Sequence, residues 1–172
     1  KVSVLGQKVD RLEIVAGDDS PSSRKGTLVL RQLPMPMMVS GFSNQVLKNV
    51  QSEMEKRGVQ VVNASGSSGE AAPSLGRTLQ PGDSLGVALA YGDLQAYSLG
   101  TVTYVHGSRL WGFGHAMNWS GEVNYPITEA WITMVMKGLP GVFPPYKMGY
   151  IGKAVGTITQ DRAASIAGRL GQ

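Results

Sequence analysis

Two histidines, His106 and His115, supply all the imidazole in this 172-residue chain, and it contains no cysteine. Without Cys there is no disulfide framework, no Cys-based zinc site, no iron–sulfur ligation and no thiol nucleophile. Two imidazoles also exclude a three-His metal site built from this chain alone. Phosphate cradling is unsupported: Gly112-x-Gly114 lacks a third glycine at Met117, and no Gly-Lys-Ser/Thr string occurs. Neither a metal nor a cofactor is expected.

His115 closes the segment Leu110-Trp-Gly-Phe-Gly-His115, where a strand gives way to a loop. The glycines flanking Phe113 let the backbone turn sharply and let another chain or a substrate approach. An imidazole on such a turn can serve as a general base. It can equally cap the strand end through hydrogen bonds. Ser120, in Asn118-Trp-Ser-Gly-Glu122, is a candidate nucleophile or a plain turn serine, with only half of the glycine surroundings of an activated serine. Asp161, in Gly156-Thr-Ile-Thr-Gln-Asp-Arg162, could orient an imidazole, cap a helix suggested by residues 163–167, or pair with Arg162. His106, beside Gly107 at a hairpin turn, is expected to be exposed and without a role.

The elements that must position these residues read as mainly β with one prominent α-helix. Glycine, at 23 of 172 residues, suits turns and strands better than helices. Residues 2–15 read as two short strands around Gly6, 17–26 as loop, and 27–31 as a strand. Pro34 and Pro36 forbid a regular helix in the Met-rich stretch 33–39. The spacing of Val46, Leu47, Val50 and Met54 predicts a helix over 44–57, with Ser43 as N-cap, Lys56 and Arg57 in the last turn and Gly58 as the stop. Strands follow at 59–62, 85–91, 95–99, 101–105, 109–113 and 157–159, with a tight turn at 106–108. The small polar stretch 63–77 reads as a flexible loop or linker. The organisation is then 1–62 (strands plus helix), 63–77 (linker) and 78–172 (a β-rich core carrying Gly114-His115).

Charge and hydropathy narrow the partners. The net charge is +4, and no run of Lys and Arg exceeds two residues, so the basic footprint of a nucleic-acid binder is missing. No segment approaches the roughly 18–20 consecutive apolar residues of a membrane span. No secretory signal follows Lys1. The start at Lys rather than Met and the end at Gly171-Gln172 lead to the expectation that the chain is a piece of a longer protein.

Several strings occur together and in order: Pro81-Gly-Asp-Ser-Leu-Gly-Val87, Gly92-Asp93, Gly100-Thr-Val-Thr-Tyr-Val105, Gly112-Phe-Gly-His115 and Gly156-Thr-Ile-Thr-Gln-Asp-Arg-Ala-Ala-Ser-Ile-Ala-Gly168. With Leu33-Pro-Met-Pro-Met-Met-Val-Ser-Gly-Phe42 upstream, the chain over about residues 30–171 resembles the SpoIVB-type serine peptidase family. The resemblance implies a trypsin-like β-barrel and a Ser, His and Asp catalytic set. The family's Gly-His histidine matches His115, which would take the proton from a serine hydroxyl and return it to the leaving amine.

The family's Gly-x-Ser-Gly-Ser-Pro nucleophile motif is absent. Ser65-Gly66-Ser67-Ser68 is the nearest string and lacks the Pro, and Ala116 stands where the family often has Pro. In members resembling this chain the serine motif and its acidic partner precede the histidine half. The resemblance therefore implies a partner: an upstream segment or separate chain that donates serine and acid, without which this chain is inactive. It also implies a protein substrate and an extracytoplasmic location. The rival expectations are a non-catalytic β scaffold for assembly or binding on the same fold, and a small-molecule binding barrel.

Overall fold

The computed structural model describes residues 2–4, 6–16, 24–64, 74–140 and 142–171; most of the predicted loop 17–26 and of the linker 63–77, with Ser65 to Ser68, lies outside them. The strands are β1 (Val2–Val4), β2 (Gln7–Val9), β3 (Arg11–Ala16), β4 (Thr27–Gln32), β5 (Met35–Ser40), β6 (Val59–Asn63), β7 (Ser84–Ala90), β8 (Gln95–His106), β9 (Arg109–Gly112), β10 (Gly121–Met136), β11 (Tyr146–Arg162) and β12 (Ser165–Leu170). The described residues contain a single helix, α1 (Asn44–Glu55). The chain is therefore mainly β, as its composition implies.

Strands β7 to β12 close a six-stranded antiparallel barrel in the order β8-β7-β10-β11-β12-β9, and β9 pairs back onto β8. Its interior is filled by Leu85, Val87, Val102, Leu110, Ile127, Ile158 and Ile166, each 0–1% exposed. Burying each such side chain contributes about 1.5–3 kcal/mol. Outside the barrel, β5 lies antiparallel to the first residues of β8, and β6 lies parallel to β5. A parallel pair needs a crossover, and α1 supplies it.

The helix forms where its cap and periodicity place it. The Ser43 Oγ accepts from the Val46 amide at 3.4 Å. Leu47, Val50 and Met54 pack on Met37, Val39, Val59 and Val61. The helix closes at Glu55 rather than residue 57, so Lys56 is the C-cap and Arg57 lies beyond it. The helix suggested by residues 163–167 does not form. Residues 163–164 are a turn and Ser165–Leu170 is β12, paired with both β11 and β9. The barrel needs this strand to close, and ladder pairing on both edges outweighs the helix propensity of three alanines. The predicted strand 157–159 is a fragment of the 17-residue β11.

The segment before β7 covers one end of the barrel. Leu75 and Leu79 pack into its core. The buried Glu129 on β10 accepts from the Ser74 hydroxyl at 3.1 Å and the Leu75 amide at 3.0 Å. Two Arg77 N–H groups donate to Asp83 at 2.6 and 2.7 Å, and the Gln80 amide donates at 2.8 Å. The Arg77 hydrogen bonds hold the Asp83 carboxyl below the usual carboxylate range, outweighing desolvation. A depressed carboxylate contributes stability above its unfolded value of about 3.9 and loses it as pH falls through the folded value. Asp83→Asn is therefore expected to lower the thermal midpoint at neutral pH, with the gap to the parent closing as the solution is acidified from the unfolded carboxylate value of about 3.9 downward. A gap that persisted unchanged in acid would show that the ion pair does not fasten this segment.

Candidate functional site

His115 stands on the loop between β9 and β10, which crosses a cleft of about 560 Å³. The cleft forms where β8 changes partner. On one flank β8 pairs with β5 through Tyr97, and with β9 from Val102. Leu99 and Gly100 fall between these two ladders and line the cleft together with Met35 and Pro36 of β5, whose Pro36 carbonyl accepts from the Ser98 hydroxyl at 3.1 Å. The chain enters from the other side through Leu33 and Pro34, directly after β4, and the start of β11 adds Tyr146 and Lys147.

The loop is held from beneath by one carboxylate. Asp161, 1% exposed, accepts from the backbone amides of Met117 at 2.7 Å, Asn118 at 2.8 Å and Ser120 at 3.1 Å. Three N–H donors on one carboxylate are charge-assisted and satisfy backbone groups that would otherwise lack partners. Asp161 thus neither caps a helix nor pairs with Arg162, whose Nε donates to Gln160 Oε1 at 2.8 Å.

The His115 ring itself is exposed. Its Nδ1 lies 2.7 Å from the Ala116 carbonyl oxygen. A carbonyl only accepts, so Nδ1 carries the hydrogen, and in the neutral ring the lone pair is on Nε2. That is the tautomer a general base requires. No carboxylate hydrogen-bonds the ring among the described residues; Asp161 acts one step away, through the loop backbone. Ser120 is exposed, gives its amide to Asp161, and makes no hydrogen bond to His115. The structure therefore brings His115 and Asp161 onto one loop system and leaves Ser120 outside the cleft. His106 is exposed at the β8–β9 turn.

Two aromatic residues shape the cleft. Phe113 (φ 68°) and Trp119 (φ 58°) are the two non-glycine residues with left-handed backbone among those described, and both line it. Such conformations cost of order 1–3 kcal/mol each and persist where surrounding structure imposes them. The Phe113 ring lies over Gly100, where a Cβ would come within 2.1 Å of the ring, so this position has no room for a side chain. The Phe113 and His115 rings sit 5.7 Å apart, tilted by 47°. The glycines flanking Phe113 were the sequence signal for this turn; nothing in the sequence marked Trp119.

Lys147 lines the cleft and was not singled out by the sequence. Its Nζ donates to Thr101 Oγ1 at 2.7 Å, Ser84 Oγ at 3.3 Å and the Gly100 carbonyl at 3.3 Å. Partial burial pushes its ammonium below the ordinary lysine range, and no carboxylate among the described residues offsets this. Among the described residues no cluster of His, Asp and Glu could hold a metal ion, and no helix is long and apolar enough to cross a membrane. Comparisons with protein families, curated proteins and solved structures found no match to this chain.

The Asp161 anchor can be tested directly. Asp161→Asn removes the charge and turns an N–H group toward amides that need an acceptor. It is expected to cost about 2–4 kcal/mol in denaturant unfolding. Amide exchange at Met117, Asn118 and Ser120 should accelerate ahead of the barrel strands. Exchange as slow as in the parent would mean that Asp161 does not hold the loop.

Proposed function

We propose that this chain is the histidine-bearing part of a serine endopeptidase of the SpoIVB type, with its nucleophilic serine and acid donated by an upstream segment or a separate chain. The observation that carries the reading is the His115 ring: exposed at a cleft, fixed by an Nδ1–H bond to Ala116, with Nε2 free to accept a proton. The closed six-stranded barrel supports the finer assignment to a trypsin-like architecture.

In this reading a serine hydroxyl delivered to the cleft gives its proton to Nε2 as its oxygen attacks the scissile carbonyl. The protonated ring then returns that proton to the leaving amine. The partner's acid would orient the imidazole, which in this chain leans on a backbone carbonyl instead. The chain alone lacks the nucleophile and is inactive. In this reading the complex works outside the cytoplasm, in the cell envelope, as the family resemblance implies.

A second reading is a non-catalytic assembly or binding domain on the same barrel. It is favoured by one observation: among the described residues neither a serine hydroxyl nor a carboxylate contacts the His115 ring. Labelling of natural material with a fluorophosphonate separates the two. The peptidase reading expects a labelled serine in a polypeptide associated with this chain, and a loss of labelling rate of about 10³-fold or more with His115→Ala. No labelled serine, together with activity unaffected by His115→Ala, would leave the binding domain as the function.

A further inference from the structure

Two arginines stand side by side on the outer wall of the barrel. Arg109 on β9 is directly opposite Arg169 on β12, and His106 at the end of β8 is directly opposite Arg109. Directly opposed residues share one face of a sheet, with Cα atoms about 4.5–5.5 Å apart. The neighbouring Val105 and Leu110 pack on the barrel core, so this row faces outward, and its three side chains are exposed. Like charges directly opposed weaken a sheet. No Asp or Glu occurs on β8, β9 or β12, and among the described residues neither guanidinium has an ion-pair or hydrogen-bond partner.

Two aromatic rings adjoin the row on the same face. Tyr104 is opposite Trp111, and Trp111 is opposite the small Ala167. The two rings lie 5.7 Å apart, and Tyr104 is 54% exposed. The make-up of this face selects its partner. Paired guanidiniums suit a carboxylate, which they can grip with parallel N–H groups. Two of them fall short of the charge that retains a nucleic acid at physiological salt, or of the clusters of about four to eight basic residues that hold a protein on an anionic membrane. Trp, Tyr and Arg together are the side chains that dominate protein–protein contacts. Charge complementarity makes the protein that fits here an acidic one.

We propose that the outer face of β8, β9 and β12 docks an acidic segment of a partner protein, with one carboxylate received between Arg109 and Arg169 and a neighbouring apolar side chain laid on Tyr104 and Trp111. None of these four residues lines the cleft beside His115, so the inference does not rest on the peptidase reading.

The test uses the full 172-residue chain and two N-acetylated, C-amidated peptides, Glu-Phe-Glu-Phe-Glu and Gln-Phe-Gln-Phe-Gln, titrated by amide NMR. The acidic peptide is expected to bind at least about fivefold more tightly, to shift amides of β8, β9 and β12, and to weaken as salt is raised. The double variant R109Q/R169Q should lose that preference, and its thermal midpoint should match or exceed the parent's because a like-charge pair is gone. Tyr104→Ser should weaken both peptides and leave the charge preference in place. Equal binding of the two peptides, no binding of either, shifts confined to other strands, or a preference that survives in the double variant would overturn the proposal. A midpoint well below the parent's would assign the arginines to the fold and equally overturn it. Decathymidylate and phosphatidylglycerol vesicles are the remaining arms: affinity for either equal to that for the acidic peptide would overturn a protein as the partner. None of these outcomes depends on His115 or on labelling of a serine, so failure here leaves the peptidase reading to its own experiment.

Discussion

One buried carboxylate ties the candidate site to the barrel. Asp161 sits on β11, a strand paired on both edges, and receives three amides from the loop that follows β9. The loop that carries the exposed imidazole is fastened in two ways: Met117 is buried in the barrel core beside Phe113, and the backbone on either side of it is bonded to Asp161 on a rigid strand. The same strand begins with Lys147 on the other side of the cleft, so β11 spans both the cationic floor and the anchor beneath His115.

The cleft itself follows from topology. A six-stranded barrel closes when β9 takes up one flank of β8, yet β8 extends beyond the barrel and there pairs with β5. The ladder with β5 ends at Tyr97 and that with β9 begins at Val102, and the cleft lies over the changeover, lined there by Leu99, Gly100, Met35 and Pro36. Gly100 is required at that point because the Phe113 ring occupies the space of its side chain. Ordinary β geometry thus produces a concave, partly apolar surface beside a histidine, with no insertion needed to build it.

How much of this was legible in the sequence depended on whether the governing contacts are local. The helix was readable because its cap, its apolar face and Gly58 all lie within sixteen residues. The hairpin of β8 and β9 was readable because alternation and Gly107 are local signals. The long strands β10 and β11 were not. Their mutual register shifts at several points between Glu122 and Met134, and each irregularity breaks the two-residue alternation that marks a strand. Residues 163–167 were misread for the opposite reason: a local propensity for helix yields to distant partners on β9 and β11. His115 was marked by its glycines. The Asp161 anchor was not, since backbone amides are donors at every residue but proline and leave no mark in the sequence. Lys147 belonged to no motif, and its three acceptors come from β7 and β8, far away along the chain.

The central claim is that the His115 ring is held with hydrogen on Nδ1 and a free lone pair on Nε2. Nitrogen-15 NMR of the imidazole in its neutral form, correlated through the ring carbon protons, reads this directly. The account predicts the shift of a protonated nitrogen at Nδ1 and of an unprotonated one at Nε2. A neutral ring protonated at Nε2 would contradict it, because that nitrogen could then accept nothing from a serine brought to the cleft.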